Sequence, residues 1–212
     1  MHFVKVSTRR RDDTRAKLLE ATLDVFAERG FGHSTVEQVC ERAGFTRGAF
    51  YSNFSSLDEL FFAMWEQQST TLMADLERTA AEVVPRLGSA SDPIPAIVDA
   101  VLGAVSLDSR WFRVDSEFTA HALRDPDLLA ALSLREDVIA RTIARILTSV
   151  AEAMNATIDG DPALFARALV AVHDGTRVQC VVHPATDRPH DLRRDLFVRV
   201  ARSYLRPIRE PQ

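Results

Sequence analysis

Apolar positions recur along this chain with the 3.6-residue period of helices, and between residues 34 and 60 the pattern is punctuated by helix caps and a glycine. Val36, Val39, Cys40 and Ala43 fall at i, i+3, i+4 and i+7, while Glu37, Glu41 and Arg42 point to the other side. A hydroxyl at Ser34 or Thr35 stands three residues before Glu37 or Gln38, so two overlapping capping boxes fix the start of this short helix to within one residue. Gly44 ends it, because glycine enters the left-handed conformation without a Cβ clash. Thr46 caps a second short helix, with Phe45 as a hydrophobic staple before it and Phe50 and Phe54 on its inward face. Ser56 and Glu59 form a further capping box and open a long helix that continues to about Val84.

Two short helices turned on a glycine, with a third starting at once, form a helix-turn-helix pattern. The outward face of the second short helix carries Arg47, Gly48, Tyr51 and Ser52. A forked cation, a position without a side chain, a phenol and a hydroxyl can together enter a major groove and meet phosphates and base edges. Gly48 costs a helix about 1 kcal/mol relative to alanine, which points to a close backbone approach at that position. Thr35, Thr46, Ala49 and Asn53 complete the expected DNA-contacting set.

Three stretches resemble the TetR family of transcriptional regulators in residues and order. They are Thr14-Arg-Ala-Lys-Leu-Leu-Glu-Ala-Thr-Leu-Asp-Val-Phe-Ala-Glu-Arg-Gly-Phe, Ser34 to Ala43, and Gly48-Ala-Phe-Tyr-Ser-Asn-Phe. The likeness is close over roughly the first sixty residues; beyond them it rests on helical content, length and an Asp174-Gly175 signature. It implies a DNA-binding head, a helical body that binds a small effector and forms a homodimer, and repression of an operator relieved by ligand. One departure stands out: family members often carry lysine at the start of the fourth helix, where this chain has Leu57. The helix N-terminus can still offer its N–H groups to a phosphate, with one fewer charge-assisted contact.

Beyond residue 84, Pro85, Gly88, Ser89, Ser91, Asp92, Pro93 and Pro95 mark a loop. Helical periodicity then covers about 94–106, a segment with Trp111, Phe112, Val114, Phe118 and Leu123, about 126–155, 162–182 and 189–204. Pro126 can open the first of the long pair, and Gly160-Asp161-Pro162 separates it from the next helix. No convincing alternating strand is present, so the expected class is all-α, with a helix-turn-helix head on a larger helical body. The expected division is a flexible basic arm at 1–11, a DNA-binding domain at 12–60 and an effector-binding and dimerisation domain at 61–212.

A net charge of −4 looks wrong for a DNA binder until it is distributed. Lys5, Arg9, Arg10 and Arg11 form an acid-free basic end, while residues 12–60 carry more acid than base. Counterion release depends on charges near the phosphates, so a local cationic end suffices, and an arm in the minor groove is one reading of it beside a disordered tail. No apolar run is long enough for a membrane helix, and no apolar core follows the N-terminal charges as in a signal peptide. Cys40 and Cys180 lie far apart without framework spacing, which fits a cytoplasmic setting. Glycine-rich phosphate loops, nucleophile elbows and paired Cys-x-x-Cys motifs are all missing, so no enzyme and no cofactor is expected.

For an apolar or aromatic effector, the candidate residues are Trp65, Met73, Trp111, Phe112, Phe118, His121 and Asp174. Each is more often core than ligand box. His173, Cys180 and His183 share broadly one side of a helix and raise a metal-sensing alternative, although their spacing matches no recognised site.

Overall fold

The computed structural model describes residues 3–86 and 92–208, with side chains from residue 11 onward. Its α-helices are α1 (Phe3–Arg29), α2 (Val36–Ala43), α3 (Arg47–Tyr51), α4 (Leu57–Val83), α5 (Ile94–Ala104), α6 (Ser109–Ala122), α7 (Pro126–Ala153), α8 (Pro162–Val182) and α9 (Arg188–Tyr204). Gly88, Ser89 and Ser91 of the expected loop lie outside the described residues, as do the side chains of Lys5, Arg9 and Arg10. The backbone of residues 3–11, expected as a flexible arm, is the opening of α1.

The chain divides into two compact units, Met1–Ser69 with Asp108–Leu129, and Thr70–Leu107 with Ala130–Gln212. In the first unit α6 joins α1, α2 and α3, although the sequence pattern groups α6 with the body. The reason is aromatic packing. Phe31, just after α1, meets Phe26 edge-on at 5.1 Å and Phe118 of α6 at 5.0 Å, and the Phe61 and Phe118 rings stack at 3.6 Å. Phe26, Phe61 and Phe118 are all fully buried, and side chains of that size each remove a large apolar area from water.

In the second unit α8 lies along α9, and α5 packs on α9. Val98, Phe197 and Val198 form a buried cluster there, flanked by Ile94, Leu102, Leu169 and Val172. One small departure from all-α is a two-stranded antiparallel ribbon, β1 (Ala156–Ile158) against β2 (Leu205–Pro207), with Thr157 opposite Arg206. The ribbon accounts for a second correction: α7 ends at Ala153, before the expected Asn155. Asn155 takes a positive φ of 53° to turn the chain into β1, and Gly160, at φ 95°, turns it toward Asp161, which caps α8. Three-residue strands carry too few positions to display alternation.

Candidate nucleic-acid interface

Local chemistry fixes the helix-turn-helix. Thr35 is the N-cap of α2, and the reciprocal box forms with Gln38: the Gln38 N–H donates to the Thr35 hydroxyl at 3.4 Å, and the Thr35 N–H donates to Gln38 Oε1 at 3.0 Å. Gly44 ends α2 at φ 71°, ψ 33°, its N–H bonding back into the helix. Thr46 caps α3 by accepting from the Ala49 N–H at 3.2 Å. The box at α4 closes differently from expectation. Ser56 accepts from the Glu59 N–H at 3.1 Å, but the Glu59 carboxylate reaches back one residue further, to the N–H and hydroxyl of Ser55, both at 2.6 Å. Those two hydrogen bonds hold the Glu59 carboxyl below the usual range.

The inward side of α3 is anchored by Phe50 and Phe54, both buried, with the Arg15 guanidinium 4.5 Å from the Phe54 ring centroid. Arg47, Gly48, Tyr51 and Ser52 are exposed on the other side, together with Thr35 and Thr46. An added Cβ at Gly48 would have the Thr46 hydroxyl at 3.8 Å as its one near contact, so this position is an open notch in the surface. Ala49 is half-buried. Asn53 turns inward: its amide donates to the Ala49 carbonyl at 2.8 Å and its Oδ1 is buried without a partner, which removes it from the outward face.

Two partners of this face were not apparent from local pattern. Glu37 of α2 pairs with Arg47 at 2.7 Å, and Arg47 also lies over the Tyr51 ring at 5.9 Å. The Arg47 pKa is raised above its ordinary value, first by a hydrogen bond with Tyr51 and then by the Glu37 charge. The second is Arg11, whose guanidinium donates to the Ser52 carbonyl at the end of α3, at 3.0 Å. That places one arginine of the basic N-terminal run beside the reading helix.

In the same unit, α6 grips the turn between α1 and α2. Glu117 accepts from the Phe31 N–H at 2.6 Å, and Gly30, at φ 84° and ψ 149°, leaves the space: an added Cβ there would stand 2.8 Å from the carboxylate. One turn further, His121 lies 3.4 Å from Asp58 in the first turn of α4 and 5.1 Å from the Phe31 ring. Glu117 and Phe31 are 86 residues apart in sequence, so no local signal announces the contact.

The expected effector residues are divided between the two units. Phe118 and Trp65 are buried, and Phe118 is spent on packing. Trp111 stacks near Phe61 at 6.1 Å and, like Phe112, stays partly exposed. His121 is engaged with Asp58. Met73 and Asp174 belong to the second unit, where Asp174 is exposed and 3.9 Å from Arg177. The residues of the metal alternative are placed as follows. His173 has guanidinium groups for neighbours, His183 lies at the exposed end of α8, and no group of three metal-binding side chains assembles among the described residues. No described helix is long and apolar enough to cross a membrane.

Residues 18–64 match the model for bacterial regulatory proteins of the tetR family, and residues 90–208 match the C-terminal domain of BetI-type transcriptional repressors. The uncharacterised regulator YfiR of Bacillus subtilis is 26% identical over 149 residues, 68% of each chain. Two solved structures share the fold. The SmeT–triclosan complex has a TM-score of 0.63 at 23% identity, covering 94% of this chain and all of that one. A regulator from Saccharomonospora viridis in complex with choline scores 0.62 at 17% identity, covering 92% and 99%. Helix-turn-helix head and helical body together make this chain a member of the TetR family, a DNA-binding transcriptional regulator and not an enzyme.

Proposed function

We propose that the protein is a cytoplasmic homodimeric repressor that places two copies of α3 in major grooves of a pseudo-palindromic operator and is released by a small molecule. The observation that carries this reading is the α3 face, with Phe50 and Phe54 anchoring one side while Arg47, Gly48, Tyr51 and Ser52 stand exposed on the other. Arg47 meets base edges, Tyr51 and Ser52 meet phosphates, and the notch at Gly48 admits the backbone. In the simplest geometry half-site centres lie one helical turn apart, ~34–36 Å.

Release needs a link between effector and head, and α6 supplies one within the first unit. Its partly exposed Trp111 and Phe112 are the members of the expected set best suited to face a ligand, and its Glu117 and His121 hold Phe31 and Asp58 beside the reading helices. A ligand acts only through a different affinity for two positions of α6. Triclosan and choline, bound by the two fold neighbours, mark the range of effector chemistry open to this architecture.

The test is footprinting of the DNA upstream of the protein's own gene across a salt series. The expected result is a protected palindrome that weakens with salt, and an Arg47→Ala variant that loses about 1–3 kcal/mol with relaxed preference at one base position. An equal loss on every sequence would reduce Arg47 to a phosphate contact, and no protection at low salt by a folded dimer would refute the operator reading.

A further inference from the structure

The arginines around the helix-turn-helix are engaged in different ways. Arg42 of α2 gives both terminal nitrogens to the Glu28 carboxylate, at 3.1 and 2.5 Å, and lies 3.8 Å from Asp24. Arg15 lies over the Phe54 ring, and Arg11 donates to the Ser52 carbonyl. Arg47 is tied more lightly. Its Nη1 meets Glu37 Oε1 at 2.7 Å, while its side chain stays 62% exposed. A guanidinium carries five N–H donors, so Glu37 and Tyr51 together leave most of the fork available to a base.

Glu37 is itself held in place. It stands in the first turn of α2, where its own N–H and then the Thr35 hydroxyl donate to its carboxylate. Those two bonds, followed by the Arg47 charge, keep its pKa below the usual carboxylate range. The Thr35 hydroxyl is fixed in turn by the Gln38 N–H at 3.4 Å. Tyr51, one turn further along α3, flanks Arg47 with 5.9 Å between guanidinium and ring centroid. A continuous line of contacts thus runs from the cap of α2 through Glu37 and Arg47 to Tyr51, bridging the two helices of the motif. An exposed ion pair of this kind contributes little to folding stability. Its place on the reading face gives it another use.

We infer that Glu37 is a specificity-determining positioning residue, which makes Arg47 a reader of guanine and keeps it from serving as a clamp for any phosphate. This role rests on the operator reading above and deepens it. A phosphate is recognised chiefly by charge, and the Glu37 carboxylate beside Arg47 both offsets the cation and repels the phosphate. A guanine edge instead presents two neutral acceptors, O6 and N7, and is recognised by donors in a fixed fork, which the pair leaves intact. Tying down one nitrogen also removes rotamer freedom that Arg47 would otherwise lose on reaching the base. The carboxylate therefore weakens binding to DNA in general more than it weakens binding to the operator, and specificity is the difference between the two.

Fluorescence anisotropy on the full-length protein tests this with three duplexes over a salt series. They are the protected operator sequence, the same sequence changed at the base pair whose preference Arg47→Ala relaxes, and a random duplex of equal length. Glu37→Gln keeps an acceptor oxygen at an exposed position, so the variant should fold as the wild type does. It should bind the random duplex about tenfold more tightly, because a like charge is removed from the approach to phosphate. Preference at the Arg47 base pair should fall, and the slope of log K against log [salt] on the random duplex should steepen by about 0.9 for each new phosphate contact. In an Arg47→Ala background the same substitution should change neither preference nor slope. An equal steepening in that background would make Glu37 a general repeller of DNA and overturn its action through Arg47. Preference lost at a different base pair would make Glu37 a base reader in its own right and overturn the positioning role as well. If the wild type protects a site and Glu37→Gln keeps both preference and slope, whatever its Tm, the positioning role falls and the operator reading stands. A wild type that protects no site removes both.

Discussion

At the residue scale the head is governed by single side chains whose roles can be tested one at a time. Leu57 begins α4 with Ser56 as its cap, so its position at the helix N-terminus is the one where a phosphate is best received. A lysine there adds one cation per protomer, and Leu57→Lys should steepen the slope of log K against log [salt] by about 0.9 per added phosphate contact, read by fluorescence anisotropy on one operator fragment. A slope unchanged from wild type would mean that this helix end does not face the backbone. His173 makes a prediction of another kind. Burial first, and then the charges of Arg193 and Arg177, push its pKa down to about 4 from 6.5. The unfolded chain therefore takes up a proton near pH 6.5 that the folded chain refuses until about pH 4. Stability from this group is complete above pH 6.5 and is lost as pH falls through the window toward 4, by up to roughly 3 kcal/mol over the whole span. His173→Gln keeps an acceptor for Arg193 and should flatten the fall in Tm between pH 7 and 5. A variant that tracks the wild type would show that His173 titrates normally.

At the element scale the division between what was legible and what was not follows the range of the interactions. Caps at Thr35, Thr46 and Ser56, the stop at Gly44 and the buried pair Phe50 and Phe54 all act within a few residues, and each is where the pattern puts it. The Ser55 contact of Glu59 was missed because two adjacent serines offer it nearly equivalent partners. The clamp of α6 on the α1–α2 turn was invisible, since Glu117 and Gly30 have no shared local pattern. That clamp yields a measurable coupling. Gly30→Ala should cost about 1–3 kcal/mol, because φ 84° with ψ 149° is a region nearly reserved for glycine. Glu117→Ala should cost about 1–3 kcal/mol by stranding the partly buried Phe31 N–H. The methyl at position 30 displaces the same carboxylate, so denaturant unfolding of the double variant should show less than the sum of the two losses. Strict additivity would mean that the carboxylate relocates without consequence.

At the scale of the whole molecule, the net charge of −4 says little about binding, because in the proposed reading the cations that count are local, Arg47 on α3 and Arg11 at its end. Assembly is where the second unit carries the argument. Exposed apolar side chains occur on its last two helices, Leu164 and Val182 at the two ends of α8 and Leu192 on α9, as well as on α7 with Leu134 and Val138. Gly175 is also exposed on α8, and an added Cβ there meets nothing within 4 Å in its own chain. Its lack of a side chain is thus of no use to the protomer, and close approach of a second copy is the use that fits the proposed homodimer. Gly175→Leu separates the two levels, because its effects have opposite signs. Within one chain, leucine in a helix interior is favoured over glycine by roughly 0.5–1 kcal/mol, so the protomer should hold or gain stability. Between chains, the same side chain forces two helices apart, and light scattering should report a mass near the 23.6 kDa of one chain where the wild type gives twice that. Dimer mass retained by a stable variant would place Gly175 outside the interface and leave the exposed leucines and Val182 as the surface to alter next.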